Sequence, residues 1–134
     1  MACVKHGDAL RVARPDCTLD THVWFVMSDP SQNPDVVLLL NMTSYGDGRG
    51  KDGACILERG EREWIIKKSC IEFGRARNAT ADGLHTLCFS HQIENLGFIG
   101  APLLEKLLKA CGRDGNDLPN KYRALLAAQG LIDL

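Results

Sequence analysis

Apolar and polar positions divide the chain into two halves with different periods. From residue 7 to about 77 the apolar residues come in short β-branched or aromatic runs, separated by turn signals roughly every ten residues. Ala9–Ala13 follows Gly7-Asp8 and is broken by Arg14-Pro15-Asp16, which predicts a first strand. His22–Met27 predicts a second, stopped by Asp29-Pro30. Asp35–Asn41 is continuously apolar at its centre, the pattern of a strand covered on both faces. Ala54–Leu57, Trp64–Ile66 and Cys70–Phe73 predict three more strands. After residue 100 the period becomes helical. Leu103, Leu104, Leu107, Leu108 and Cys111 form one stripe, with Pro102 in its first turn and Gly112 as its stop. A second helix is expected from an Asp117 cap and Pro119, with Leu118, Tyr122, Leu125 and Leu126 on its face and Gly130 at its end. The prediction is an α+β domain spanning 1–134. It comprises a small β-barrel over 7–77, a connecting segment over 78–100, and a helical part over 101–130.

Size and composition narrow the functional classes. At 134 residues and 45% hydrophobic content, the chain is an ordinary globular domain. Sixteen Lys and Arg face 17 Asp and Glu, so the net charge is −1 and any nucleic-acid contact must come from a local patch. The longest apolar run, Val36–Leu40, is too short to span a membrane. Residues 1–8 hold no apolar stretch of signal-peptide length, so a cytoplasmic protein is expected. The six cysteines are accordingly expected as thiols, with Cys55 and Cys70 buried in apolar runs.

Several segments are candidates for chemistry. The glycine-rich stretch 45–53 lacks phosphate-loop spacing: Tyr45 stands where the first glycine belongs, and Asp52 replaces the Ser or Thr. It is expected as a hairpin loop. Cys3, His6, Cys17 and His22 have a loose zinc-like spacing, and His85, Cys88 and His91 a weaker one. Pro15 and a predicted strand separate the first two pairs, so no metal is expected. Glu58–Glu63 alternates in sign like a solvated turn. Lys67, Lys68, Arg75 and Arg77 put four cations within 11 residues and form the best local candidate for a phosphate-backbone patch. His22 and Asn41-Met42-Thr43-Ser44 are polar residues at the ends of apolar strands, where sites are commonly built. Histidine suits proton transfer near neutral pH, and a hydroxyl pair can orient a phosphate.

These pieces, in their order, resemble the PemK/MazF-like toxin superfamily of bacterial toxin–antitoxin modules. Gly7-Asp8-Ala9-Leu10-Arg11-Val12 resembles its opening strand, and Val23–Pro30 its second strand ending in Ser-Pro. Val37–Ser44 resembles its buried strand ending in a Thr pair, and Lys68–Arg77 its late K-S-I…R-A-R segment. Gly60-Glu61 with Trp64-Ile65-Ile66 resembles a segment of one bacterial branch. The resemblance implies an SH3-like barrel, a homodimer, an antitoxin protein as partner, no cofactor, and metal-independent cleavage of single-stranded RNA. It assigns Thr43 to the scissile phosphate. The family's arginine before the second strand has no counterpart, since His22 or Val23 stands there. His22 then takes the role of acid or base, Thr43 orients the phosphate, and Arg75 supplies positive charge. Ser44, Lys68, Arg77 and Arg14 contribute to substrate binding, and Tyr45, Trp24 or Trp64 can stack on bases. The alternative is a non-catalytic barrel that binds protein or nucleic acid, because fold does not fix function.

Overall fold

A computed structural model describes residues 3–14, 17, 19, 23–46 and 55–133. Among these residues, seven strands form one antiparallel sheet: β1 (Asp8–Val12), β2 (Val23–Val26), β3 (Val37–Ser44), β4 (Ile56–Leu57), β5 (Ser69–Ile71), β6 (Arg77–Ala79) and β7 (Ile93–Phe98). Three helices accompany them: α1 (Ala81–Phe89), α2 (Ala101–Cys111) and α3 (Asn120–Ala128). A 3₁₀ turn, Phe73–Arg75, separates β5 from β6. The strand order is β4-β5-β3-β2-β1-β7. Eight residues long, β3 accepts two partners along one edge. β6 pairs with Val37–Leu39, and β5 with Met42–Ser44.

Side chains alternate across this sheet, and helices cover both faces. Ala9, Phe25, Leu38, Leu40 and Ile71 pack with Leu103 and Leu107 of α2 and Tyr122 and Leu126 of α3. Leu10, Trp24, Val26, Val37 and Leu39 pack on the opposite face with Leu84 of α1, together with Val4 and Leu19. The unbroken apolar run of β3 is therefore that of a doubly covered strand, as its sequence predicts.

The same double cover corrects the expected barrel. A barrel closes to hide a single interior face. Here helices hide both faces, and the end strands β4 and β7 remain apart in an open sheet. The segment expected as a connection carries α1 and β7. Thr80 Oγ1 caps α1 by accepting from the Gly83 amide at 2.9 Å. β7 pairs with β1 over five register positions, with an irregularity between Ala9 and Leu10. The expected strand at 64–66 is a turn instead. The Gly60 amide donates to the Ile65 carbonyl at 2.9 Å, and the Ile65 amide to the Arg62 carbonyl at 3.0 Å. Its apolar residues serve packing: Ile65 is buried and the Trp64 ring lies 5.9 Å from that of Phe25.

The last two helices stand close to their predicted positions, although the cap differs. Asn116, rather than Asp117, organises the entry to α3 by accepting from the Leu118 amide at 2.9 Å. Arg123 ties α3 to α2, its Nε donating to the Cys111 carbonyl at 3.1 Å and its guanidinium to Asn116 Oδ1.

Candidate functional site

Antiparallel register brings several of the sequence candidates to one end of the sheet. Arg11 stands opposite Val23, Val23 opposite Met42, and Met42 opposite Ile71. The end of β1, the start of β2, the end of β3 and the start of β5 are therefore neighbours. Thr43 and Ser44 finish β3 opposite Cys70 and Ser69. The ladder continues one step beyond, where the Tyr45 amide donates to the Lys68 carbonyl at 3.1 Å. This bond sets the two side chains together: Lys68 Nζ lies 4.6 Å from the centre of the Tyr45 ring. Tyr45 is 42% exposed, and Lys67 and Lys68 are exposed. Such a pair is a cation–π contact on a ring that remains partly exposed.

The remaining candidates separate by position. Thr43 is only 4% exposed, so its hydroxyl lies beneath the surface while Ser44 is half-buried. Arg14 follows β1 at the same end of the sheet, about 10 Å from β3 at two strand spacings. Its Nη1 donates to the Ser90 carbonyl at 3.4 Å, which draws it towards the end of α1. Arg75 is exposed and its Nε pairs with Glu72 Oε2 at 3.2 Å. Arg77 stands opposite Leu39, about 13 Å along β3 from Thr43. The four cations expected as one patch thus divide into Lys67 and Lys68 at the strand end, and Arg75 and Arg77 farther along. His22 and the glycine-rich segment 47–54 lie outside the described residues. The alternating turn at 58–63 is exposed at every position but Arg62, as expected, and Glu61 pairs with Lys106 of α2 at 3.2 Å.

Asn41 is the residue whose weight sequence reasoning missed. Fully buried and opposite Trp24, it offers an amide whose nitrogen and oxygen have no partner among the described residues. A buried polar group left unpaired is costly and uncommon. The signal was an Asn ending the five-residue apolar run Val36–Leu40.

A second concave feature sits at the opposite end of the sheet. A cleft of about 670 Å³ is lined by Cys3, Lys5, His6, Asp29, Asp82 and His85, among others. His6 Nε2 is buried there without a partner among the described residues. Asp29 is held below the usual carboxylate range chiefly by the Ser31 hydroxyl, which donates to its Oδ1 at 2.7 Å. Among the described residues, no three His, Cys, Asp or Glu side chains gather to hold a metal ion. Cys55 and Cys70 are buried, as their sequence context predicts. Burial pushes the Cys55 thiol up and the Cys111 thiol up to about 12, which removes both as thiolate nucleophiles near neutral pH. No described helix is long and apolar enough to cross a membrane.

Neither a family model, nor a curated protein, nor a solved structure matches this chain. The functional reading therefore rests on the residues themselves.

Proposed function

We propose that this protein binds single-stranded RNA at the β3–β5 end of its sheet, as a toxin-like partner of an antitoxin protein. The observation that carries the reading is the exposed Tyr45 ring with the Lys68 ammonium 4.6 Å from its centre. An exposed ring offers a stacking face to any base, and Lys67 and Lys68 meet the phosphates on either side. The chain's net charge of −1 leaves this work to local cations. Ser44, adjacent to Tyr45, adds a hydroxyl for a phosphate oxygen or a 2′-OH.

Cleavage of the bound RNA is the second reading, and what favours it is the presence of Thr43 and Ser44, the hydroxyl pair of the PemK/MazF-like resemblance, at that strand end. Metal-independent cleavage needs a base for the 2′-OH and an acid for the leaving 5′-oxygen. His22 is the candidate for either. Lys68 neutralises the charge that develops on the phosphate. A homodimer would present two such ends to one strand.

The test is a titration of a labelled, unstructured RNA in EDTA, followed by mapping of the RNA ends. Tyr45→Ala should weaken binding roughly 5- to 100-fold, the loss of one stacked base. Lys68→Ala should lower the slope of log affinity against log salt by about 0.7. Wild-type affinity in both variants refutes the site. Discrete 2′,3′-cyclic phosphate ends, lost in His22→Ala, establish cleavage; intact RNA leaves a binding protein.

A further inference from the structure

We propose that a phosphate group binds in the small cavity between the turn at 58–66 and the start of α2, held by the Arg62 guanidinium. The cavity has a volume of about 270 Å³ and is lined by Glu61, Arg62, Ile99, Gly100, Pro102 and Leu103. Arg62 carries the inference. The residue is half-buried, and its Nε is fully buried with no partner among the described residues. Arg62 also enters none of the ion pairs among those residues. Arginine keeps its charge at any physiological pH. A buried cationic donor without an acceptor is costly, so this one is arranged for an acceptor that comes from outside the chain.

The one carboxylate in the cavity wall is committed elsewhere. Lys106 Nζ donates to both oxygens of Glu61 at 3.2 Å, and the Glu58 amide donates to Glu61 Oε2 at 2.5 Å. Glu58 and Glu63 are exposed and do not line the cavity. The turn itself is fixed, because the Ile65 amide donates to the Arg62 carbonyl at 3.0 Å. Arg62 therefore keeps its place with its charge uncompensated.

The facing wall adds donors. Helix α2 has 11 residues, begins after Gly100 with no side-chain cap, and holds no acidic residue in its first turn. Pro102 lacks an amide hydrogen, and the Leu104 amide donates to the Gly100 carbonyl at 3.0 Å. The amides of Ala101 and Leu103 are thus left without an acceptor among the described residues. Gly100 brings the guanidinium close to this electropositive helix end, since a Cβ there would lie 3.9 Å from Arg62 Nη1. A carboxylate has two oxygens, which the arginine fork alone would occupy. A phosphate group has more, and can accept from the fork and the helix amides together. The volume lies below the roughly 300–1,000 Å³ of sites for drug-sized ligands, which suits free phosphate or a small monoester. The site does not depend on the RNA reading.

The experiment is a calorimetric titration of the full-length protein with inorganic phosphate and, separately, with methyl phosphate, at an ionic strength held constant with chloride. Saturable binding is expected, weakened roughly 10- to 100-fold in Arg62→Gln. Arg62→Lys, which keeps the charge but loses the fork, should fall between the two. Tighter binding of methyl phosphate assigns the site to a monoester, and tighter binding of inorganic phosphate to the free ion. A second measurement needs no variant. Phenylglyoxal modification of Arg62 in the wild-type protein, read by peptide mapping, should slow when phosphate is added, while modification of the exposed Arg59 should not. No saturable binding of either probe, wild-type affinity in Arg62→Gln, or Arg62 modification that ignores phosphate overturns the proposal.

Discussion

Replacing Asn41 with leucine should stabilise the fold by about 2 kcal/mol or more. Asn41 occupies the central strand β3, is fully buried, and has both amide atoms without a partner among the described residues. Leaving a buried donor or acceptor unsatisfied costs about 1–3 kcal/mol each, so removing both recovers about 2 kcal/mol even at the low end. Leucine has nearly the same shape, branching at Cγ, and would join Trp24, Val37 and Leu39 on that face. The substitution creates neither a cavity nor a large overlap. For 134 residues the unfolding entropy near 60 °C is about 0.28 kcal/mol/K, so 2 kcal/mol appears as a rise in Tm of about 7 °C. Urea titration should show a higher midpoint at unchanged slope. RNA affinity should stay within about twofold, because Asn41 stands four residues, about 13 Å, along the strand from Tyr45. A loss of 1 kcal/mol or more would refute the reasoning, since it would show that the amide is satisfied in solution. Asn41→Asp provides the opposite control: a buried carboxylate without a cation should destabilise by several kcal/mol at neutral pH and less once it is protonated.

Other perturbations address different parts of the account. Gly7→Ala should cost about 1–3 kcal/mol in urea unfolding, because Gly7 has φ +85° and a Cβ there would stand 2.6 Å from Phe98 Cε1. In a Phe98→Ala background the steric part should shrink to the contact with Leu104 Cδ2 at 3.2 Å, while the backbone part persists. Leu126→Ala should cost about 2–5 kcal/mol, since this fully buried side chain joins α3 to the sheet. Removing 101–134 should expose Phe25, Leu38 and Leu40 and lead to aggregation; a soluble, folded truncation would contradict the three-layer packing. Asp29 titrates below its ordinary value in the folded state, so its contribution to stability is present above about pH 4 and fades as the pH falls through the folded pKa. Asp29→Asn should accordingly flatten the acid limb of a Tm–pH curve, and an unchanged limb would refute that role.

How far the sequence revealed this arrangement depended on whether the deciding interactions were local. The runs giving β1, β2 and β3 and the stripe of α2 were legible because one periodic pattern met one dominant burial demand. β7 was not. Ile93-Glu94-Asn95-Leu96-Gly97-Phe98 mixes charge, amide and glycine, and only its distant pairing with β1 makes it a strand. Helix α1 was hidden by Gly83 in its first turn and by a face with a single fully buried residue, Leu84. Trp64–Ile66 misled for the opposite reason, since a strand-like composition was recruited for packing alone. The barrel expectation followed from strand spacing, which does not report whether helices cover the second face. At the site, spacing along the chain grouped Lys67, Lys68, Arg75 and Arg77, whereas register separated them into two pairs. Tyr45 was legible as a stacking candidate, but its contact with Lys68 depends on the β3–β5 ladder continuing past Ser44.

The central claim is that RNA lies across the end of β3 and β5. Photo-crosslinking of a 4-thiouridine-substituted, unstructured RNA, followed by peptide mapping, tests it most directly. The account predicts cross-links on the peptides that contain Ser44-Tyr45 and Lys67-Lys68, competed away by unlabelled single-stranded RNA. Cross-links confined to α2 and α3 or to the cleft around His6, or none at saturating protein, would contradict it.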